Sequence, residues 1–331
     1  MEIIKDKYIK LGIYKKQVYI KLIKDVFERK LAKELDLLRV SAPVFVTPES
    51  GLQDDLSGVE RRVSFDIKKD GQVLEVVQSL AKWKRYALDK YKLYMHKGIY
   101  TDMTAIRRDD SVDATHSIYV DQWDWEMVIS RKDRTIKFLK ETVVKIVRAI
   151  AETSEFLKEK GFDGVKIHKD VFFIDSEDLL QMYPGMTDKE REDAIVREHK
   201  TVFITRIGDK LSSGEPHDKR APDYDDWSLN GDLLFYHEVF DKALEISSMG
   251  IRVDAKSMME QLEKAGKQER LQYEYHKKII KGELPLSIGG GIGQSRLCML
   301  LLGRAHIGEV QCSYWDKETL DFCKEHDIEL L

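Results

Sequence analysis

The most unusual stretch of the chain is Ser287-Ile288-Gly289-Gly290-Gly291-Ile292-Gly293-Gln294-Ser295-Arg296-Leu297, which runs straight into the apolar segment 298–302. It matches neither common nucleotide motif. A dinucleotide fingerprint starting at Gly289 needs glycine at position 294, where glutamine stands, and the Gly-Lys-Ser/Thr of a phosphate-binding loop is absent. Glycine at this density lets backbone approach something closely, and the apolar residues that follow predict a buried helix. Arg296 falls in the first turn of that helix, where a cation opposes the positive end of the helix dipole. An anion would offset this. Phosphate suits both the guanidinium fork and the free N–H groups of a helix start, while an ion pair with a nearby Asp or Glu is the plainer alternative.

A second arginine, Arg107, ends a predicted strand over 98–107 and could grip another anion. Asp232 and Glu245 bracket a hairpin otherwise made of Leu233, Leu234, Phe235, Leu244 and Ile246. Carboxylates in apolar strands are costly unless they are paired or bound to metal. Two arginines for phosphates and two acids for Mg2+ outline the equipment for nucleoside triphosphate chemistry. The strand predicted over 117–129 adds a polar surface when its faces are separated at period two. Tyr119, Trp123 and Trp125 share one face, as a core requires, whereas Gln122, Asp124 and Glu126 share the other with Ile118, Val120 and Val128. The floor of a cleft accounts for that second face; an outward-facing polar strand is the alternative.

These residues need a scaffold, and the patterning supplies one. Apolar positions recur at three and four over 14–38 and again over 134–160, which predicts two long amphipathic helices, the second closed by Gly161 in a left-handed cap. Strands are predicted over 74–77, 98–107, 117–129, 201–207, 233–239 and 243–253, with hairpin-length gaps between several of them. The expected class is α+β, an antiparallel sheet flanked by helices, without the regular alternation of a doubly wound fold. The stretch 209–230 holds Gly214, Pro216 and Pro222 with hardly an aliphatic residue, and is expected to be a long functional loop or lid.

Composition narrows the rest. With 331 residues and 42% apolar content the chain can bury a substantial core, and one catalytic domain over 1–331 with a mobile loop at 209–230 is expected. Lys+Arg 55 nearly cancels Asp+Glu 59, which argues against a nucleic-acid partner. Cys298, Cys312 and Cys323 are odd in number and lack metal-binding spacing, so neither disulfides nor zinc are expected. No signal peptide or membrane span is apparent, and a reducing cytoplasm is the expected setting.

Several strings together resemble a known family. They are Gln53-Asp54-Asp55-Leu56-Ser57-Gly58, Ser79-Leu80-Ala81-Lys82-Trp83-Lys84-Arg85, His116-Ser117 with Val120-Asp121-Gln122-Trp123-Asp124-Trp125-Glu126, Arg220-Ala221-Pro222-Asp223-Tyr224-Asp225-Asp226-Trp227-Ser228, Leu229-Asn230-Gly231-Asp232, Ser247-Ser248-Met249-Gly250-Ile251-Arg252, and the glycine run ending at Arg296. The resemblance is to ammonia-dependent asparagine synthetases, the aspartate–ammonia ligases, and it spans nearly the whole chain. It implies a catalytic domain similar to class II aminoacyl-tRNA synthetases, working as a homodimer on L-aspartate, ammonia and ATP with Mg2+. By the same resemblance Pro43 looks like the proline of the first class II motif at the dimer interface. Arg107 resembles the arginine on the α-phosphate and Arg296 the one near the γ-phosphate, with Asp232 and Glu245 holding magnesium and Gly291 and Gly293 beside the nucleotide. Ser79, Lys84, Gln122, Asp124, Ser247, Ser248 and Arg252 would surround aspartate and its adenylate, with Asp54 and Asp124 as candidates for the substrate's ammonium group.

The second half-reaction consumes neutral ammonia, so an acidic pocket must attract ammonium and take its proton; Asp54 and Asp225 are both candidates. Free ammonia is the expected donor, because Glu2 stands where a glutaminase of the N-terminal-nucleophile kind needs cysteine. Two alternatives are an aspartyl-tRNA-synthetase-like paralogue that adenylates aspartate for another acceptor, and a non-catalytic sensor of amino acid or nucleotide.

Overall fold

The computed structural model describes residues 3–56 and 60–331, so Ser57 and Gly58 of the first string above lie outside the described residues. In chain order the elements are α1 (Ile13–Leu35), β1 (Leu37–Arg39), β2 (Phe45–Val46), β3 (Ser64–Asp66), β4 (Val73–Val76), α2 (Ala81–Lys90), β5 (Gly98–Ile106), β6 (Tyr119–Val128) and α3 (Ile136–Glu159). There follow β7 (Phe172–Asp175), α4 (Ser176–Met182), α5 (Asp188–His199), β8 (Thr201–Thr205), β9 (Asp225–His237), β10 (Lys242–Arg252), α6 (Ala255–Lys264), α7 (Glu274–Ile280), β11 (Ser287–Gly293), α8 (Gln294–Leu302) and α9 (Lys317–Glu325).

Eight strands form one sheet in the order β1-β5-β6-β11-β10-β9-β8-β7, and β2-β4-β3 form a small second sheet. All pairings in the large sheet are antiparallel except β1 with β5 and β7 with β8. The expected α+β class holds. Helices α1 and α3 bury most of the stripes their periodicity announced, Ile23, Phe27, Leu31 and Leu35 from one and Leu139, Val143, Ile146 and Val147 from the other, joined by Ile20 and Ile150, whereas Val18 and Val144 of the same patterns are exposed. Thr135 caps α3 at its start by accepting from the Phe138 N–H, and Gly161 follows its end at φ +84°. These helices and α8 cover one face of the sheet, where they meet Trp123, Trp125, Leu233, Phe235, Ile288 and Ile292. On the opposite face α5 packs on Leu234 and α2 on Val128, and the rest of that face carries a cavity.

Three features escaped the sequence patterns. The glycine run is itself a strand, β11, between β6 and β10, because its neighbours supply the side chains it lacks. The segment 176–199 is helical and packs on β7 and β8 through Leu179, Ile195 and Val196. The loop expected over 209–230 ends at position 224, since Asp225 already pairs with Arg252 across a bulge in β9–β10; the acid-rich Asp225-Asp226 hid that strand.

One core histidine couples this packing to pH. His237, at the end of β9, is 2% exposed, its ring nitrogens have no hydrogen-bond partner, and burial pushes its pKa down to about 4. The neutral ring is therefore favoured on folding, and the stability this provides above the unfolded value of about 6.5 drains away as pH falls toward 4. Relative to His237→Leu, the native chain should lose about 2 kcal/mol between pH ~7 and pH ~5 in urea unfolding; parallel pH curves for the two would contradict this.

Candidate active site

The free face of the sheet carries an open cavity of about 730 Å³. Its floor is β6, β11 and β10, which present Gln122, Asp124, Gly290, Gly291, Ser248 and Arg252. The glycines explain how so many polar side chains share one floor. A Cβ at Gly291 would sit 2.5 Å from the Gln122 amide oxygen, and one at Gly289 would collide with the Glu126 carboxylate and come within 2.7 Å of the Arg252 guanidinium. A bare backbone strand is what lets its neighbours' side chains reach across it.

At one end of the cavity stand the two arginines. Arg107, just past β5, donates from Nε to the Gln78 carbonyl at 3.2 Å, and Arg296, in the first turn of α8, donates from Nη1 to the Glu245 carbonyl at 3.0 Å with the Glu245 carboxylate 3.8 Å away. Both line the same cavity. The acid pairing weighed for Arg296 is thus present, with one of the two acids assigned to metal. Asp232 and Glu245 sit on the adjacent strands β9 and β10. Burial, with the nearby carboxylates of Glu245, Asp218 and Glu192, pushes the Asp232 carboxyl up to about 6 against the opposing charge of Arg220. Glu245 is half-buried, and although desolvation raises its carboxyl, Arg296, Arg220 and Lys189 hold it below the usual value. Two neighbouring acids with opposite shifts are a frequent mark of a functional site.

The other end is lined by buried charged groups of both signs. Lys84, from α2, pairs with Asp124 and donates to the Gly290 carbonyl at 2.9 Å, and burial pushes its pKa down against the pull of Asp124. Ser79 donates to Asp54 at 2.6 Å. Arg252 lies between two carboxylates, Glu126 at 2.7 Å and Asp225, and Ser287 adds a bond to Glu126 at 2.7 Å. Burial pushes the Asp225 carboxyl up despite Arg252 beside it, and it pushes the Tyr224 hydroxyl well up, with Asp54 and Asp225 adding to the effect.

The base of the loop is braced from behind. Asp223, fully buried, meets Lys82 at 2.8 Å, Arg270 at 3.0 Å and His276 at 2.9 Å, while Asp226 pairs with Arg134 at 2.8 Å. Gln261 of α6 donates to the Pro222 and Asp225 carbonyls at 3.0 and 2.9 Å. Tyr224 and Asp225 are therefore held in place, while 209–220 is tied down at separate points, by Asp209 to Lys264, Ser212 to Glu177 and His217 to Glu192.

The cavity brings together Asp54, Ser79, Lys84, Arg107, Gln122, Asp124, Asp225, Glu245, Ser248, Arg252, Gly291, Gly293 and Arg296. Asp232 meets it through Arg220, which lines it. Ser247 does not: the bulge between Glu245 and Ser247 sets it on the far side of β10, buried, with no partner for its hydroxyl. Arg220, Tyr224 and His116 line the cavity although no single-residue signal marked them; the compact Arg220-Ala221-Pro222 turn was the available hint.

A large, mostly antiparallel sheet flanked by helices, with a charged cleft on one face, is the architecture of class II aminoacyl-tRNA synthetase catalytic domains. Asparaginyl-tRNA synthetase of Entamoeba histolytica, solved with asparaginyl-adenylate, superposes with a TM-score of 0.63 at 13% identity over 91% of this chain and 68% of that one. The asparaginyl-tRNA synthetase of Pyrococcus horikoshii with asparaginyl-adenylate gives 0.60 at 17% identity, over 89% and 68%. Within that class the sequence is specific: residues 14–327 match the aspartate-ammonia ligase family model. Aspartate–ammonia ligases of Clostridium tetani, 52% identical over 99% of this chain and 96% of the relative, and Ruminiclostridium cellulolyticum, 54% over 97% and 96%, agree along nearly the whole length. The chain belongs to the aspartate–ammonia ligase family, whose reaction is the ATP-dependent synthesis of asparagine from aspartate and ammonia.

The Asp223 brace can be tested by itself. Three partners hold its carboxyl far below the usual range, so its contribution is present above the unfolded value of about 4 and is lost as pH falls below it. Asp223→Asn should cost about 3 kcal/mol at neutral pH, with the deficit shrinking on acidification below pH ~4. Urea midpoints across pH would show this, and a pH-independent deficit would contradict it.

Proposed function

We propose that the synthesis runs through a β-aspartyl-adenylate, with AMP and pyrophosphate as co-products. The observation that carries this reading is the meeting of Arg107, Arg296, Asp232 and Glu245 at one end of the cavity whose other end is formed by Lys84, Asp124 and Arg252. Attack of the side-chain carboxylate on the α-phosphorus needs alignment and charge neutralisation more than covalent help from the protein. In this reading Arg107 sits on the α-phosphate and Arg296 near the γ-phosphate. Lys84 meets a substrate carboxylate, and Asp54 and Asp124 face its ammonium group, with Ser79, Gln122, Ser248 and Arg252 shaping the rest.

The acid pair fits a magnesium ion. Asp232 Oδ1 is buried without a partner, Glu245 lies on the neighbouring strand, and two carboxylates with nucleotide phosphates and water are a usual magnesium set. Bound there, the ion would screen the charge of the departing pyrophosphate.

Ammonia attacks next, and its precursor is a cation. Asp54 and Asp225 supply the negative charge that draws ammonium in, and we favour Asp225 as proton acceptor because burial already raises its affinity for a proton. Closure of 209–220 over the cavity would keep water from the adenylate. Leu38, Val44, Phe45 and Phe65 are exposed around Pro43, at 63%, 53%, 46% and 43%, and this apolar surface suits the homodimer that the resemblance implies. A cytoplasmic enzyme without a nucleic-acid partner accords with the near-neutral charge; among the described residues no helix is long and apolar enough to cross a membrane.

Purified protein given aspartate, magnesium-ATP and ammonium should form asparagine, AMP and pyrophosphate in equal amounts, and glutamine should not replace ammonium. ADP in place of AMP would reject the adenylate route.

A further inference from the structure

The acid pair at the phosphate end is not bare. Arg220, on the loop before β9, donates from Nη2 to Asp232 Oδ2 and from Nη1 to Asp218 at 2.6 Å, with its side chain only 14% exposed. The other Asp232 oxygen, Oδ1, is buried and has no partner. Arg220 also lines the cavity together with Arg107 and Arg296, so its guanidinium stands between the acid and the space a nucleotide would fill. Its loop has one further buried hold: His217 faces Glu192 of α5 at 3.2 Å, and Lys189 meets the same carboxylate at 2.9 Å.

Charge decides what this contact is for. Asp232, Glu245, Asp218 and Glu192 gather here, and Arg220, Arg296 and Lys189 are the cations that act on them. In the ligand-free protein the guanidinium does for Asp232 what a bound cation would do, since a buried carboxylate without a counter-charge is costly. A divalent ion between Asp232 and Glu245 brings two positive charges where Arg220 brings one. The guanidinium is then surplus at the carboxylates, and the strongest anion within reach is the triphosphate, which its planar fork can bind through two parallel hydrogen bonds.

We propose that Arg220 is a third phosphate-binding guanidinium of this site, kept on Asp232 in the ligand-free protein and released to the nucleotide when a divalent cation takes its place. This rests on the reading of Asp232 and Glu245 as the cation-binding pair. Arg220 and the cation therefore compete while the cavity is empty and cooperate once nucleotide is bound. The Arg220 side chain is what must shift for this exchange, while His217 keeps its segment on Glu192 and Tyr224 and Asp225 stay fixed on the Asp223 brace.

The competition is measurable without turnover. Mn2+ serves as the probe, its free concentration followed by electron paramagnetic resonance without nucleotide, and magnesium-ATP affinity is measured by calorimetry. Arg220→Gln should bind Mn2+ about tenfold more tightly than the native protein and magnesium-ATP about tenfold more weakly. Arg220→Lys keeps a charge without the fork and should also lose ATP affinity, which preserves the test if the glutamine variant fails to fold. Unchanged or weaker Mn2+ binding in Arg220→Gln, or unchanged ATP affinity in both variants, would overturn the proposal. If Asp232→Asn leaves Mn2+ binding untouched, the acid-pair reading fails instead.

Discussion

Arg252 between Glu126 and Asp225 is the contact on which the rest of the site depends. All three side chains are almost fully buried, and they tie β6, β10 and the start of β9 to one another across the cavity floor. Removing one member of such a group leaves a buried charge without compensation, a loss of about 3–5 kcal/mol in comparable cases. The contact also dictates the backbone beneath it. Glu126 and Arg252 meet over Gly289, where any side chain would collide with them, so the bare strand β11 and the charge cluster require each other. The group of two acids and one arginine lies beside Tyr224 and Asp54, where we propose that the cationic nitrogen source is received.

The phosphate end follows the same logic with a different sign. Carboxylates there are matched by arginines that also face the cavity, so the ligand-free site is electrically compensated. The two ends share one sheet face, and helices α1 and α3 stabilise that sheet from the opposite side, while α8 packs there and delivers Arg296 to the cavity from its first turn.

Much of this was legible in the sequence because it is periodic. The stripes of α1 and α3, the alternation of Trp123 and Trp125 with Gln122 and Asp124, and the placing of Asp232 and Glu245 on the two strands of one hairpin all express spacing rules that act locally. The resemblance to aspartate–ammonia ligases added the long-range grouping that spacing cannot supply. What remained hidden is what depends on partners far along the chain. Glu126 read as a polar floor residue, but its role is set by Arg252, 126 positions later, and Ser287. Ser247 read as part of the site because a bulge that reverses its face leaves no mark in the sequence. Asp225 and Asp226 read as loop, since two adjacent acids disfavour a strand until Arg252 and Arg134 neutralise them. Arg220 offered no pattern, as its meaning lies in the acid it covers.

We propose that Arg107 and Arg296, 189 positions apart in the chain, clasp one nucleotide at different phosphates. Binding of ATP and of AMP to Arg107→Ala and Arg296→Ala, measured by calorimetry with magnesium present, tests it most directly. Loss of Arg107 should weaken both nucleotides, and loss of Arg296 should weaken ATP about tenfold or more while leaving AMP nearly unchanged. ATP binding that survives both substitutions, or an equal loss for AMP and ATP in Arg296→Ala, would contradict the account.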